Sequence, residues 1–221
     1  MEYRYEIKVP ISQYNEFYFF DWFLSLRNIR THNVSREINN IYFDTLDLSS
    51  AQNNIDGIAN RVKYRVRWYK EGTTFSKCNV ELKVKNGKLS RKITIPTKLN
   101  FKDILKKDFF DLIKNDLSKI NFDHRDLCSQ KFLPTVQNKY NRAYYLHNDI
   151  RMTYDTKVNY KNLKIKSINN WNTDNLNVLE IKFNEGLLDQ ARELISNMPF
   201  TPKRHSKYLR GLSNCKMAVY I

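Results

Sequence analysis

The sequence has few cysteines and no long apolar segment. Its three cysteines, Cys78, Cys128 and Cys215, are far apart, which excludes a disulfide framework and favours a reducing compartment. No run of about 18 apolar residues is present, so we expect no membrane-spanning helix. The first residues also lack the apolar core of a signal peptide. We therefore expect a cytoplasmic protein.

Two common kinds of functional site are also missing from the sequence. The histidines show no spacing typical of metal ligands; they are His32, His124, His147 and His205. No glycine-rich P-loop for a nucleotide is present. A nucleotide-binding site in this chain must therefore be built from other residue types.

Acidic residues are scarce relative to basic ones. The 221 residues include 38 Lys plus Arg against 23 Asp plus Glu, a formal net charge of +15. This excess predicts an anionic partner, which leaves nucleic acid, a phosphorylated metabolite and an anionic membrane surface as alternatives. Apolar residues make up 41%, which excludes wholesale disorder. Without repeats or linkers, we expect a single domain over residues 1–221.

One predicted strand, in residues 60–69, carries a row of cations. Side chains alternate between the two faces of a strand, so every second residue shares a face. One face is cationic and the other apolar: Arg61, Lys63, Arg65 and Arg67 against Val62, Tyr64, Val66 and Trp68. Neighbours on one face lie about 7 Å apart, and each like-charge pair costs about 2 kcal/mol at an effective dielectric near 20. A polyanion lying along the row would remove that cost.

Similar alternation recurs in six other segments, and cations predominate on their polar faces. The polar faces carry Arg4, Glu6 and Lys8; Glu81, Lys83 and Lys85; Lys92; Tyr140 and Arg142; Arg151, Thr153 and Asp155; and Glu180 and Lys182. The alternation and the apolar runs along the whole chain predict strands at 2–9, 38–44, 135–147, 150–159, 163–169 and 177–184, and a loop at 45–60. It predicts helices at 12–27, 101–117 and 187–198, and a short helix near the C-terminus. Turns are predicted at 71–72 and 86–87.

These elements predict an α+β fold, a closed antiparallel β-barrel of about eight strands. If the apolar faces pointed inward, the apolar stripes of the helices would have nothing to cover. If they point outward, the helices pack on the outside of the barrel and the charged faces line a cationic tunnel. We therefore expect the second arrangement.

An ordered set of motifs resembles the VTC domain, the polyphosphate polymerase domain of the vacuolar transporter chaperone complex and its stand-alone bacterial relatives. The motifs are E-I-K, I-Y-F-D-T-L-D-L, K-Y-R-V-R-W-Y, E-L-K-V-K, K-Y-N-R, I-R-M-T-Y-D, L-E-I-K-F and R-H-S-K-Y. They run in order through nearly the whole chain. That family belongs to the triphosphate tunnel metalloenzymes, so the resemblance implies the same barrel with a cationic bore.

The resemblance also implies roles for individual residues. It implies catalytic roles in phosphoryl transfer for Arg65, Arg67, Lys83, Arg142 and Lys207. It implies substrate-binding roles for Lys8, Lys92, Tyr140, Arg151, Arg204 and Ser206. Glu180 resembles the ligand of a divalent metal, Mn²⁺ or Mg²⁺. The family often has Lys where Arg204 stands, and Ser206 also suits a helix N-cap.

The implied reaction transfers the γ-phosphoryl group of ATP to a growing polyphosphate chain. Triphosphatases of the superfamily usually begin with E-x-E-x-K, whereas this chain reads Arg4-Tyr5-Glu6-Ile7-Lys8. Loss of one carboxylate favours transfer to phosphate, because a phosphate nucleophile needs no strong general base, whereas water does. A tunnel triphosphatase and a non-catalytic polyphosphate or nucleotide sensor remain alternatives. We expect no nucleic-acid partner, and a membrane-protein partner and the oligomeric state stay open.

Overall fold

The computed structural model describes residues 4–71, 74–99, 101–120, 123, 125–164 and 170–217. The described strands are Tyr5–Ser12 (β1), Ile29–Asp44 (β2), Asn60–Glu71 (β3), Thr74–Phe75 (β4), Asn79–Asn86 (β5), Leu89–Pro96 (β6), Leu133–His147 (β7), Ile150–Asn162 (β8), Asn172–Thr173 (β9) and Leu176–Phe183 (β10). The described α-helices are Glu16–Ser25 (α1), Ser49–Ile55 (α2), Phe101–Ile104 (α3), Phe109–Ile113 (α4), Arg125–Ser129 (α5), Leu188–Ser196 (α6) and Lys207–Asn214 (α7). Over these ranges, no helix is long and apolar enough to cross a bilayer.

The strands form one antiparallel sheet in the order β1-β10-β8-β7-β2-β3-β5-β6, with β4 beside β3 and β9 beside β8. The two ends of this order approach each other. Arg4, just before β1, and Ser90 in β6 exchange two backbone hydrogen bonds of 3.2 and 3.1 Å. The predicted antiparallel sheet with helices is thus confirmed, including the β5–β6 hairpin, in which Gly87 adopts the positive φ that a tight turn requires.

Helices cover the apolar face of the sheet, as the alternation predicts. At one end of the strand order, the side chains of β1, β8 and β10 pack with α1 and α6; the cluster includes Val9, Met152, Leu179, Phe19 and Leu194. At the other end, the side chains of β2, β3 and β5 pack with α3, α4 and α5; the cluster includes Ile41, Val66, Leu82, Ile104, Phe109 and Leu127. The opposite face, which we call the inner face, carries the charged side chains of the alternating segments.

The prediction that the helices pack only on the outside is wrong for α7. This helix packs on the inner face, where Tyr208 and Leu212 share a buried cluster with Val136 of β7 and Tyr160 of β8. The Tyr208 hydroxyl also donates a 2.7 Å hydrogen bond to the buried carboxylate of Asp44. An apolar stripe at helical spacing shows that a face is buried, but it does not say which side of a sheet it covers.

Gly211 permits this close approach, and its replacement by alanine tests it. A Cβ at position 211 would lie 2.7 Å from Val136 Cγ1 and 2.8 Å from Tyr160 Cδ1. Both neighbours are fully buried, so we expect Gly211→Ala to lower the free energy of unfolding by about 1–3 kcal/mol, measured by urea denaturation. Gly186→Ala is the matched control, because its Cβ would meet only Asn184 Oδ1 at 3.6 Å. Equal urea midpoints for the two variants would contradict the close packing.

Two predicted elements differ from the observed ones, because hydrogen bonds to polar side chains determine where the helices begin. The segment 45–60 was predicted as a loop, but it contains α2. The Asp44 carboxylate accepts hydrogen bonds from the backbone N–H groups of Thr45, Ser50 and Ala51 at 2.8–3.0 Å, which fixes the start of that helix. The helix predicted over 101–117 is broken into α3, α4 and a 3₁₀ turn, because Asp108 caps a new helix by accepting from the N–H of Asp111 at 2.8 Å.

The remaining differences concern strand boundaries. β2 begins nine residues before the predicted position 38, and its first half is largely exposed, so it lacks the alternation that predicts a strand. In the segment predicted as a strand over 163–169, residues 163 and 164 are not in a strand and 165–169 lie outside the described residues. The turn predicted at Glu71-Gly72 also falls partly outside them. The strands predicted at 135–147, 150–159 and 177–184 and the helix at 187–198 are confirmed within a few residues.

Candidate active site

The inner face of the sheet curves around on itself. Lys83 Nζ of β5 lies 2.7 Å from both carboxylate oxygens of Glu6 in β1, although five strands lie between β1 and β5 in the sheet order. Lys8 Nζ donates to the carbonyl of His205 at 3.1 Å, and Lys63 Nζ donates to the Ser206 hydroxyl at 2.9 Å. Side chains from both ends of the sheet therefore meet around the start of α7.

A first cluster of charges surrounds the buried carboxylate of Glu81 in β5. Arg65 contacts its Oε2 through Nε at 2.8 Å and Nη2 at 2.7 Å, and Lys92 Nζ lies 2.9 Å from Oε1. Arg67 Nε lies 3.8 Å from the same Oε2 and donates to Asn40 Oδ1 at 2.7 Å. Burial alone would raise the pKa of Glu81, but Arg65, Arg67 and Lys92 together hold that pKa far below its usual value. Glu81 therefore stays ionised and occupies the donors of Arg65.

A second cluster surrounds the fully buried carboxylate of Asp155 in β8. Arg142 of β7 binds it with two parallel hydrogen bonds of 2.5 and 2.6 Å, and Lys207 of α7 donates to its Oδ2 at 2.6 Å. Arg142 Nη2 also donates to Glu180 Oε2 at 3.2 Å. Arg142 and Lys207 both lie over the ring of Tyr140, 5.3 and 4.8 Å from its centroid. The ring and the two carboxylates fix both cations in a defined geometry.

A third cluster joins β1, β5 and β10. Glu6 binds Lys83 and also Lys8, whose Nζ lies 3.2 Å from Glu6 Oε1. Lys182 Nζ lies 3.0 Å from Glu180 Oε1. Burial and the nearby Glu180 both raise the pKa of Glu6, but Lys83, Lys8 and Lys182 outweigh them and lower that pKa to about 2. Both glutamates are therefore anions within a predominantly cationic surface.

A family match identifies the chain. The family model described as the VTC domain matches residues 3–216. This chain belongs to the VTC-domain family. Comparison with curated protein sequences finds no significant match.

Solved structures with low sequence identity share the fold of this VTC domain. A Hippeastrum protein, described as an adenylyl cyclase candidate with a dominant triphosphatase activity, superposes with a TM-score of 0.54 at 17% identity, over 96% of each chain. An adenylate cyclase candidate from Vibrio parahaemolyticus gives a TM-score of 0.51 at 12% identity, over 96% of this chain and 99% of the other. One from Bacillus halodurans gives 0.51 at 15% identity, over 93% and 94%. At these identities the likeness establishes a shared fold.

The VTC domain brings most of the predicted site residues together. Those that lie in the three clusters are Lys8, Arg65, Arg67, Lys83, Lys92, Tyr140, Arg142, Glu180 and Lys207. Ser206 caps α7 by accepting from the N–H of Leu209 at 3.4 Å, and it also accepts from Lys63. Arg151 shares the face of Thr153 and Asp155 and lies opposite Lys182 in the register. Arg204 lies apart from the clusters, where Nη2 donates to the carbonyl of Asn54 in α2 at 2.7 Å.

Sequence reasoning gave no role to several charged residues of these clusters. Glu6, Glu81 and Asp155 appeared on alternating faces and within the quoted motifs, but they received no role in the site, and neither did Lys63 and Lys182. The available signal was their alternation with apolar residues, which places them on the same face as the predicted cations. The register adds that Arg65 lies directly opposite Glu81, Lys63 opposite Lys83 and Arg142 opposite Asp155.

The carboxylates suit a divalent cation that is shared with a phosphate. In the part of the chain that the structure describes, no group of three or more His, Cys, Asp or Glu side chains could hold a metal by itself. Glu6 and Glu180 lie on the neighbouring strands β1 and β10, where Lys8 pairs with Glu180 in the register, and, besides burial, the charge of Glu180 acts to raise the pKa of Glu6. One or two carboxylates together with substrate phosphates are the usual ligands of Mg²⁺. The pair therefore fits a hard cation such as Mg²⁺ or Mn²⁺ held jointly with a phosphate.

Lys83 has a pKa close to neutral pH. Burial lowers the pKa of its ammonium group, Glu6 and Glu180 oppose this, and Lys8 and Lys182 reinforce it, so that the pKa lies at about 8. Half of the Lys83 side chains are therefore neutral near pH 8. An anion bound nearby favours the ammonium form and would raise this pKa.

We therefore expect triphosphate affinity to depend on pH through Lys83. Affinity is highest below pH 8, where Lys83 is charged before binding, and it falls as the pH rises above 8, because binding must then take up a proton. Calorimetric titration with tripolyphosphate between about pH 7 and 9.5 measures this. In Lys83→Arg the cation stays charged, so the fall should be shallower. Lys63, whose pKa burial also lowers, is present in both proteins, so its contribution is the same in the two profiles. Identical profiles for the two proteins would contradict this role of Lys83.

Proposed function

We propose that this VTC domain is an ATP-dependent polyphosphate polymerase that transfers the γ-phosphoryl group of ATP to the end of an inorganic polyphosphate chain. One observation carries the proposal: on the inner face, converging cations outnumber the carboxylates Glu6, Glu81, Asp155 and Glu180 that they contact. Lys63, for example, has the Ser206 hydroxyl as its one hydrogen-bond partner among the described residues, and burial together with nearby like charges lowers its pKa. A substrate with several negative charges would relieve this repulsion.

Phosphoryl transfer to an anionic acceptor needs this kind of surface. The main obstacle is repulsion between the phosphate groups of donor and acceptor, so catalysis consists mostly of positioning and charge stabilisation. We assign the triphosphate grip to Arg65 and Arg67, whose guanidinium groups can bind phosphate oxygens with two hydrogen bonds each. Further catalytic cations are Lys83, Arg142 and Lys207. The substrate-binding residues are Lys8, Lys92, Tyr140, Arg151, Arg204 and Ser206.

We propose that the sheet closes into a barrel around this site. The backbone pair Arg4–Ser90 would close it between β1 and β6, and the N–H of Lys203 adds a 3.0 Å hydrogen bond to the Lys8 carbonyl at the same edge. Because α7 packs on the inner face, we expect it to fill one end of the bore, so that the growing chain leaves by the other. A Mn²⁺ or Mg²⁺ ion on Glu180, with Glu6, would neutralise charge on the donor phosphates.

A tunnel triphosphatase is the second candidate, because a relative of similar fold is described as having a dominant triphosphatase activity. Hydrolysis needs a group that activates water. The carboxylates of the three clusters are Glu6, Glu81, Asp155 and Glu180. Each of them is engaged by at least one cation within 3.2 Å, and the pKa of each lies below its usual value, which makes it a weak base. These pairings favour transfer to a phosphate nucleophile, which is already anionic.

Incubation with ATP and Mn²⁺ or Mg²⁺ distinguishes the candidates. A polymerase releases ADP and forms polyphosphate that is visible on a gel. ADP with free phosphate and no polymer would indicate a triphosphatase. Binding of tripolyphosphate with neither product would indicate a sensor, and tighter binding of duplex DNA than of polyphosphate would indicate a nucleic-acid protein.

A further inference from the structure

Helix α1 is apolar on both of its faces. Phe19, Trp22 and Phe23 are buried against the sheet, where Phe19 stacks on Tyr154 of β8 with 4.3 Å between the ring centroids. The opposite face also carries large apolar side chains, which are between 42% and 90% exposed: Tyr14 in the preceding turn, Phe17, Tyr18, Phe20 and Leu24. A surface helix normally presents polar residues to water, so this face is suited to a second apolar surface.

The exposed side chains have a defined order on the helix. Phe17, Phe20 and Leu24 are spaced i, i+3 and i+7, so they form a continuous ridge, which we call the α1 ridge. Tyr14 and Tyr18 lie beside the ridge, and tyrosines have an apolar body with a polar tip. Phenylalanine and leucine flanked by tyrosine is the composition of a helix that lies in the interface of a bilayer.

Positive charge adjoins the α1 ridge. Arg27 and Arg30 follow the helix and are both exposed, whereas Asp21 is the exposed acidic residue of α1. The whole chain has a net charge of +15. This charge disfavours a second copy of the chain as the occupant, since two such surfaces repel each other. It favours an anionic surface, because basic residues beside an interfacial helix are attracted to anionic headgroups.

We propose that the α1 ridge binds the surface of a bilayer containing anionic lipids. Phe17, Phe20 and Leu24 enter the boundary between headgroups and acyl chains, and Arg27 and Arg30 contact lipid phosphates. The helix lies flat on the bilayer, because its buried side remains packed on β8 and β10. The site is independent of the inner face and does not depend on the proposed reaction.

Co-sedimentation with vesicles tests the proposal. The protein is mixed with vesicles of phosphatidylcholine, alone or with phosphatidylglycerol, in about 0.15 M salt, where the Debye length is about 8 Å and distant charges are screened. We expect binding to the mixed vesicles and at least about tenfold weaker partitioning of Phe17→Ser/Leu24→Ser. The matched control is Val34→Ser/Leu46→Ser, at side chains 83% and 78% exposed outside the ridge, and it should bind like the unchanged protein.

Three outcomes would overturn the proposal. One is no binding to the mixed vesicles. Another is equal binding of Phe17→Ser/Leu24→Ser and the control, which would show that net charge alone attracts the protein. The third is a dimer, measured by light scattering, that Phe17→Ser/Leu24→Ser dissociates, which would assign the ridge to a second copy of the chain.

Discussion

Replacing Arg65 and Arg67 together by alanine is expected to reduce polyphosphate synthesis at least about a thousandfold, because an arginine on a transferring phosphate contributes a factor of that size. Both guanidinium groups point into the inner face beside Glu81, and no other arginine approaches its carboxylate within 4 Å among the described residues. The assay is polymer formation from ATP on a gel, with tripolyphosphate binding measured separately by calorimetry. If the double variant kept both polymer formation and tripolyphosphate binding, the assignment of the triphosphate grip to these arginines would be contradicted.

The double variant leaves Glu81 buried with Lys92 as its remaining close partner, so misfolding must be separated from loss of function. Adding Glu81→Gln to the double variant removes that unpaired charge. If the triple variant unfolds at the same urea concentration as the unchanged protein and still makes no polymer, the arginines act on the substrate.

Glu81→Gln alone is expected to have the opposite effect on binding. The Glu81 carboxylate accepts one hydrogen bond from Arg65 Nε and one from Lys92, and Arg65 Nη2 lies 2.7 Å from it. A phosphate would make the same contacts with these cations. Removing this internal competitor should tighten tripolyphosphate binding by about tenfold, the value of one charge-assisted hydrogen bond. Weaker binding in Glu81→Gln would show instead that Glu81 takes part in holding the substrate or its cation.

The inner face could be predicted from the sequence because its signal is local. Alternation with period two assigns a face to each residue without knowledge of the strand order, so Arg65, Lys83 and Arg142 could be assigned to the same face. The helices provided the second constraint, since an apolar face that needs a cover must be the outer one. Both arguments use only neighbouring residues.

Contacts between distant strands could not be predicted in the same way. The pairing of Lys83 with Glu6 joins two strands that are almost at opposite ends of the sheet order, and alternation says nothing about that order. The position of α7 is a similar case. The stripe formed by Tyr208, Gly211 and Leu212 has the spacing found in any amphipathic helix. Only the packing against Val136 shows that α7 lies on the inner face.

Asp155→Asn is expected to be the most destabilising single substitution in the site. Asp155 is fully buried and binds both Arg142 and Lys207, so its loss removes the carboxylate that these two buried cations share and leaves Arg142 with Glu180 as its other carboxylate partner at 3.2 Å. Removing one partner of a buried ion pair costs about 3–5 kcal/mol, and urea denaturation at neutral pH measures it. Asp189→Asn is the control, because the Asp189–Arg192 pair is largely exposed and should leave the midpoint unchanged.

Two further readouts distinguish this role from a general packing defect. Tripolyphosphate should restore more stability to Asp155→Asn than to the unchanged protein, because it supplies the missing negative charge to Arg142 and Lys207. The effect should also depend on pH. Burial alone would raise the pKa of Asp155, but Arg142 and Lys207 lower it below its usual value, so the stabilisation is complete above about pH 4 and is lost as the pH falls through the lowered pKa. A stability difference between the two proteins that persisted in strong acid would mean that the shape of Asp155, and not its charge, stabilises the site.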